Sequence, residues 1–158
     1  MVLTAYPGGP VSPTSDIQID PRGYRFGALV TLVLVLAALV AGANAVGIVL
    51  MAVLTAMFLP GATIGPQVTL QSWLFRKLVR PRIGAPSETE SFRPPRFAQQ
   101  MGLGMAAASL LLGLAGADAG FYLFAALIAI ASFLNGVFNF CAGCEIYLLF
   151  KRATTKAT

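Results

Sequence analysis

The spacing between charges constrains this chain more than any other feature. No Lys, Arg, Asp or Glu occurs from Phe26 to Phe75, from Phe97 to Ala117, or from Ala119 to Cys144. A helix needs roughly 20 apolar residues to cross a bilayer. The first gap therefore holds two spans and each of the others holds one. Composition agrees, with 57% hydrophobic and 11% charged residues. Soluble domains carry about 25% charged residues, and a soluble helix keeps a polar face that these runs lack. The reading is an all-α, polytopic membrane bundle of four transmembrane helices.

The expected spans are about 26–43, 46–60, 97–115 and 121–140, with helix continuing through the cysteines to about 149. Residues 1–20 read as a flexible cytoplasmic tail, 21–152 as the membrane domain, and 153–158 as a second cytoplasmic tail. Ala43-Asn44-Ala45 resembles a signal-peptidase site, but the segment before it is too long and polar for a secretory signal. An uncleaved anchor is expected.

The Lys and Arg residues fall in three groups. Arg22 and Arg25 precede the first span. Arg76, Lys77, Arg80, Arg82, Arg93 and Arg96 lie in the middle segment. Lys151, Arg152 and Lys156 end the chain. With four spans every one of them lies on one side, opposite Asp118. The positive-inside rule then places both termini and the central loop in the cytoplasm. It also explains the basic charge without nucleic acid, and the expected surroundings are the lipid bilayer. With no histidine in the chain, His-bound metal and the commonest general base are excluded.

Pro60-Gly61 and Gly65-Pro66 interrupt the second apolar run. Beyond them Val68, Leu70, Leu74, Phe75 and Leu78 sit among Trp73, Arg76 and Lys77. This pattern predicts an interfacial amphipathic helix near 66–79. The alternative is a kinked continuation of the second span. In the third span Gly102 and Ala106 allow close helix approach. Generic packing is the preferred use, and a homo- or hetero-oligomer contact is the alternative. Arg25-Phe26 and Arg96-Phe97 open the first and third spans alike, which suggests two hairpins in parallel arrangement.

One constellation carries chemistry: Cys141-Ala142-Gly143-Cys144, followed by Glu145. On a helix, residues three apart share a face, with Cα atoms roughly 5 Å apart, within reach of a disulfide. Such a pair can cycle between dithiol and disulfide, hold a soft metal, or pass sulfane sulfur. Glu145 is expected on the face of Cys141, where an ionised carboxylate opposes the thiolate. Arg96 and Lys151 are candidates for a charge that favours it. The bland alternative is that both cysteines are small buried hydrophobes. Two thiolates cannot complete a four-ligand zinc site, so no metal or cofactor is assigned. Asn135 and Asn139 are expected to point away from the cysteines and to hydrogen-bond between helices. Tyr122, Tyr147 and Trp73 fit interfacial anchoring.

The stretch Phe138-Asn139-Phe140-Cys141-Ala142-Gly143-Cys144-Glu145-Ile146-Tyr147 resembles the C-terminal signature of a bacterial membrane family, domain-of-unknown-function family 4395 (DUF4395). Arg96-Phe97-Ala98-Gln99 is similar to its other recurrent motif. The resemblance covers roughly 20–150 and implies a small four-span protein of the bacterial inner membrane without established activity. It also implies a cytoplasmic thioredoxin-like or sulfurtransferase partner, by association.

Three functions compete. The first is a thiol-redox or sulfur-relay component acting through Cys141 and Cys144 with Glu145 beside them. The second is a non-catalytic accessory subunit of a larger membrane complex. The third is a small transporter of a neutral solute. The disulfide-generating quinone reductases relay electrons through two outward cysteine pairs, whereas this chain has one pair, expected inward. In a reducing compartment a permanent structural disulfide is not expected.

Overall fold

The computed structural model describes residues 16–156. Helix α1 spans Pro21–Ala41, with Asp20 as its cap: Oδ1 accepts the Arg22 N–H at 3.0 Å. Pro21 suits the first turn, where its missing N–H costs nothing. The helix ends at Gly42, whose φ of 84° favours glycine. Asn44 then caps α2, Ala45–Thr63, accepting the Val46 N–H at 2.9 Å. A second tight turn at Gly116, φ 74°, joins α5, Arg93–Leu114, to α6, Asp118–Phe138. The short helices α3, Leu70–Leu74, and α4, Arg80–Ile83, lie between the hairpins, and α7, Ala142–Lys156, follows them.

Helix α1 packs on α2 and α6, and α5 packs on the same two. The result is an up-down-up-down ring in which every contacting pair is antiparallel. All four long helices are long and apolar enough to cross a membrane. Val33, Val40, Leu111 and Leu123 project outward, while Gly102, Ala106, Ser109 and Ala125 lie inside. This inside-out distribution suits lipid, where small residues let backbones approach.

Several boundaries differ from expectation. The helix expected to run unbroken past the cysteines stops at Phe138 and restarts at Ala142. Part of the segment assigned to the first tail forms regular structure. Gln18–Ile19 (β1) pairs antiparallel with Glu90–Ser91 (β2), and Ile19 is buried. Residues 1–15 of that tail lie outside the described residues. Helix α7 reaches Lys156, beyond the expected start of the second tail.

The segment expected as an interfacial helix near 66–79 does not continue α2, because Gly65 at φ 149° turns the chain. It comprises a 3-10 turn at Pro66–Val68, then α3, then a wider π turn at Phe75–Val79. Thr69, Gln71 and Phe75 face the protein, and Val68, Leu70, Trp73 and Leu78 face out.

The two hairpins repeat one another. Buried Thr31, Val35 and Ala38 of α1 recur at the same spacing as Gly102, Ala106 and Ser109 of α5. In α2, Gly47, Met51, Leu54, Phe58, Gly61 and Ala62 are buried. Their counterparts in α6 are Phe121, Ala125, Ile128, Ser132, Asn135 and Gly136, spaced identically. Contacts repeat as well. The Phe26 and Phe75 rings lie 5.9 Å apart at 45°, and those of Phe97 and Tyr147 lie 5.8 Å apart at 47°. Arg25 donates to the Gly136 carbonyl at 3.3 Å. Its counterpart Arg96 donates to Ala62 at 3.3 Å and to Thr63 at 2.7 Å. Each arginine thus caps the last carbonyls of a helix in the opposite hairpin.

Ile19 and Glu90, paired across the ribbon, are themselves counterparts. A pseudo-twofold axis therefore passes through the ribbon and down the bundle, relating parallel repeats.

Candidate thiol site

Asn139 ends α6 in the left-handed conformation, φ 55° and ψ 31°. Asn tolerates this region because its short polar side chain bonds locally. The Phe140 N–H reaches back to the Leu134 carbonyl at 3.1 Å, closing the helix end. The chain reverses and α7 begins, with Cys141 in the capping position. Its Sγ accepts the Cys144 N–H at 3.2 Å and its carbonyl accepts the Glu145 N–H at 3.0 Å. Oxygen side chains usually cap helices. A thiol is a poor substitute as acceptor, and a thiolate at a helix N-terminus is a good one.

Cys141 and Cys144 are joined as a disulfide, with Cα atoms 5.2 Å apart. The Tyr24 hydroxyl lies 3.3 Å from Cys141 Sγ and is placed to donate to it. Gly143 explains the small residue inside the motif. A Cβ there would lie 2.7 Å from the Ala98 Cβ, so only glycine lets the start of α7 cross α5.

The structure places the sequence candidates unevenly. Cys141 and Cys144 come together as their spacing required. Glu145 is exposed, and its carboxylate makes no hydrogen bond or ion pair among the described residues. Arg96 is committed to the Ala62 and Thr63 carbonyls, and Lys151 is exposed on the last turns of α7. No hydrogen bond or ion pair joins either of them to the sulfurs or to Glu145 among the described residues.

Asn135 was expected to point away from the cysteines, yet it lines one cavity with Cys141. The reversal at Asn139 is the cause, since it folds the cysteines back over the bundle. Tyr24 carried no sequence signal beyond its place near Arg25. Only its contact with Cys141, from the far end of the chain, reveals it.

The pseudo-symmetry supplies a counterpart for the whole site. Thr69 caps α3 as Cys141 caps α7, and its Oγ1 accepts the Ser72 N–H at 3.2 Å. The Thr69 and Ser72 hydroxyl oxygens lie 3.0 Å apart, where the other half has its disulfide. A Cβ on Gly27 would meet the Gln71 Cβ at 3.5 Å, in the place of Ala98 against Gly143. One half carries a sulfur pair and the other a hydroxyl pair, on the same scaffold.

Among the described residues no three His, Cys, Asp or Glu side chains cluster as metal ligands. The family model described as Domain of unknown function (DUF4395) matches residues 19–152. Neither the curated proteins nor the solved structures contain a match.

Proposed function

The chain belongs to the DUF4395 family, whose description assigns no activity, and from the geometry of its sulfurs we propose a membrane thiol-redox or sulfur-relay component. The observation that carries this reading is Cys141 as the cap of α7. Its sulfur receives the Cys144 N–H, and the Tyr24 hydroxyl sits beside it. Those donors, added to the positive end of the helix dipole, stabilise negative charge on this sulfur. Residues three apart on a helix lie at about the Cα separation of this disulfide whether or not the sulfurs are bonded. Oxidised and reduced forms can thus share one backbone, which favours cycling over a permanent crosslink.

In the reducing direction the Cys141 thiolate attacks a partner disulfide. A mixed disulfide forms and one partner thiolate leaves. Cys144, its proton lost to water, then attacks the Cys141 sulfur. The intramolecular disulfide closes and the second partner thiolate departs. Two electrons pass from the pair to the partner, and the same steps reversed recharge it. For sulfur relay the Cys141 thiolate takes the outer sulfur of a partner persulfide, whose thiolate leaves, and the Cys141 persulfide then passes that sulfur to an acceptor thiolate and is itself restored as thiolate, with no net redox change.

The basic residues gather at the end of the bundle that holds the cysteines, and Asp118 lies at the other. By the positive-inside rule this end faces the cytoplasm of a bacterial plasma membrane, with both chain termini inside. A soluble thioredoxin-like or sulfurtransferase protein is the class of partner that could reach it there. Glu145, exposed on the first turn of α7, is available to such a partner.

The test is differential alkylation in intact cells, with membrane-permeant and impermeant maleimides, before and after a reductant pulse. The expected result is reversible labelling of Cys141 and Cys144 from the cytoplasmic side, abolished by Cys141→Ser with Cys144→Ser. If that double variant supports every cellular phenotype of the intact protein, the accessory-subunit reading replaces this one.

A further inference from the structure

Beneath Cys141 lies a cavity of about 110 Å³ between α1, α5, α6 and the start of α7. Its lining is apolar apart from Tyr24, Thr31, Gln99, Ser132, Asn135 and the sulfur of Cys141 itself. Thr31 is 4% exposed, Ser132 8% and Asn135 7%. None of these three side chains makes a hydrogen bond among the described residues, and Gln99 Oε1 is buried without a partner. Buried polar groups in a folded protein are paired, and an unpaired one costs about 1–3 kcal/mol. Gln99 Oε1 is one such atom, and the unpaired Thr31, Ser132 and Asn135 side chains open onto the same small cavity, so together they point to a partner that the chain itself does not supply.

The pseudo-symmetry provides an internal control. The counterparts of Tyr24, Thr31, Gln99, Ser132 and Asn135 are Pro95, Gly102, Ala28, Phe58 and Gly61. None of them carries a polar side chain. The fold therefore accepts an apolar residue at each of these positions, and three of those residues, Ala28, Phe58 and Gly102, line the same cavity. The polar set is drawn from both hairpins, on α1, α5 and α6, and it gathers beside the only sulfur pair. Packing does not require them.

We infer that this cavity is a binding chamber for a small uncharged thiol, which exchanges with the Cys141–Cys144 disulfide. This rests on the redox reading above and adds its substrate class. Three features set that class. No Asp, Glu, Lys or Arg lines the chamber, so an ion would enter without compensation. An apolar cavity of about 150 Å³ holds benzene, so this one holds about four heavy atoms. Amide and hydroxyl groups at its wall fit a ligand that both donates and accepts, while Met101 and Met105 offer polarisable sulfur to a soft atom. In the exchange the ligand sulfur bonds to Cys141 Sγ as the bond to Cys144 breaks. The ligand's S–H proton passes to the departing Cys144 sulfur. The products are a Cys141 mixed disulfide and a free Cys144 thiol, with no other reactant needed.

The test uses the purified, oxidised full-length protein in nanodiscs. The probes are 2-mercaptoethanol, uncharged with four heavy atoms, and mercaptoacetate, its anionic analogue of nearly the same size. Release of the Cys144 thiol is followed by quenching, alkylation and mass spectrometry. Each rate is divided by the rate on an unstructured peptide bearing the same Cys-Ala-Gly-Cys disulfide. The expected result is a rate that saturates with 2-mercaptoethanol and, after this division, exceeds that of the anion by at least about tenfold. Asn135→Leu with Gln99→Leu should remove saturation with 2-mercaptoethanol, so that its rate rises linearly with concentration. Linear rates for both thiols, in the peptide's ratio, would overturn the chamber and leave the redox pair standing. A disulfide that neither thiol opens in the folded protein, but both open after denaturation, would overturn the redox pair and the chamber together.

Discussion

The first hairpin with its following helices and the second hairpin with α7 bury the same positions, cap each other with matched arginines and stack matched aromatic rings. They part company at one station. Thr69 and Ser72 hold hydroxyls where Cys141 and Cys144 hold sulfur, and Pro95 stands where Tyr24 approaches the sulfur. A cap, a turn and a glycine-scale helix crossing are thus demands of the fold, met by different residues in each half. The sulfurs, the tyrosine and the polar chamber wall answer to something else.

The comparison breaks most visibly if the silent station cannot be converted. Thr69→Cys with Ser72→Cys, made in a Cys141→Ser, Cys144→Ser background, should close a disulfide under the same mild oxidant. The intact mass would fall by two hydrogens. A dithiol that stays open would show that matched capping geometry is not enough, and the equivalence of the stations would fail.

The arginines offer a quantitative test. Arg96→Ala removes two charge-assisted bonds and should destabilise the bundle by about 2 kcal/mol. Arg25→Ala removes one, together with a buried Nε that has no partner, and should cost about 1 kcal/mol. Unfolding titrations in mixed micelles would measure both, and a reversed order would contradict the bonding pattern. The smallest effect is expected from Tyr24→Phe. Losing one donor to sulfur, about 0.5–1 kcal/mol, should slow iodoacetamide alkylation of reduced Cys141 a few-fold at pH 7. The reactivity of Cys141 would then approach that of a cysteine at position 69, and an unchanged rate would remove Tyr24 from the site.

Much of the architecture is legible in the chain. Charge-free gaps mark four spans because lipid excludes charge. Arg25-Phe26 and Arg96-Phe97 betray the repeat because both must cap a helix and stack a ring at the same depth. The equivalence of Thr69-x-x-Ser72 to Cys141-x-x-Cys144 is hidden, since the residue types share almost no chemistry and only capping geometry unites them. The break at Asn139 is hidden for a related reason. Phe138 to Cys144 reads as apolar helix, and a single left-handed residue changes the direction of everything after it. That one dihedral places Asn135 and Cys141 in the same cavity. Tyr24 and Cys141 stand at opposite ends of the sequence, so no local pattern could join them.

The crossed arginine caps have a consequence for biogenesis. When the first hairpin has entered the membrane, the carbonyls of Ala62 and Thr63 still wait for Arg96, which is made later. Gln100, which also bonds Ala62, arrives later still. A half-synthesised chain therefore presents an open helix end at the bilayer surface, with water in place of the arginine at its last carbonyls. The second hairpin depends on the first in turn, since its own end is closed by Arg25, which is already made when Gly136 appears. Neither half is a finished product on its own, and a truncated chain would expose its incompleteness at the place where membrane quality control could read it.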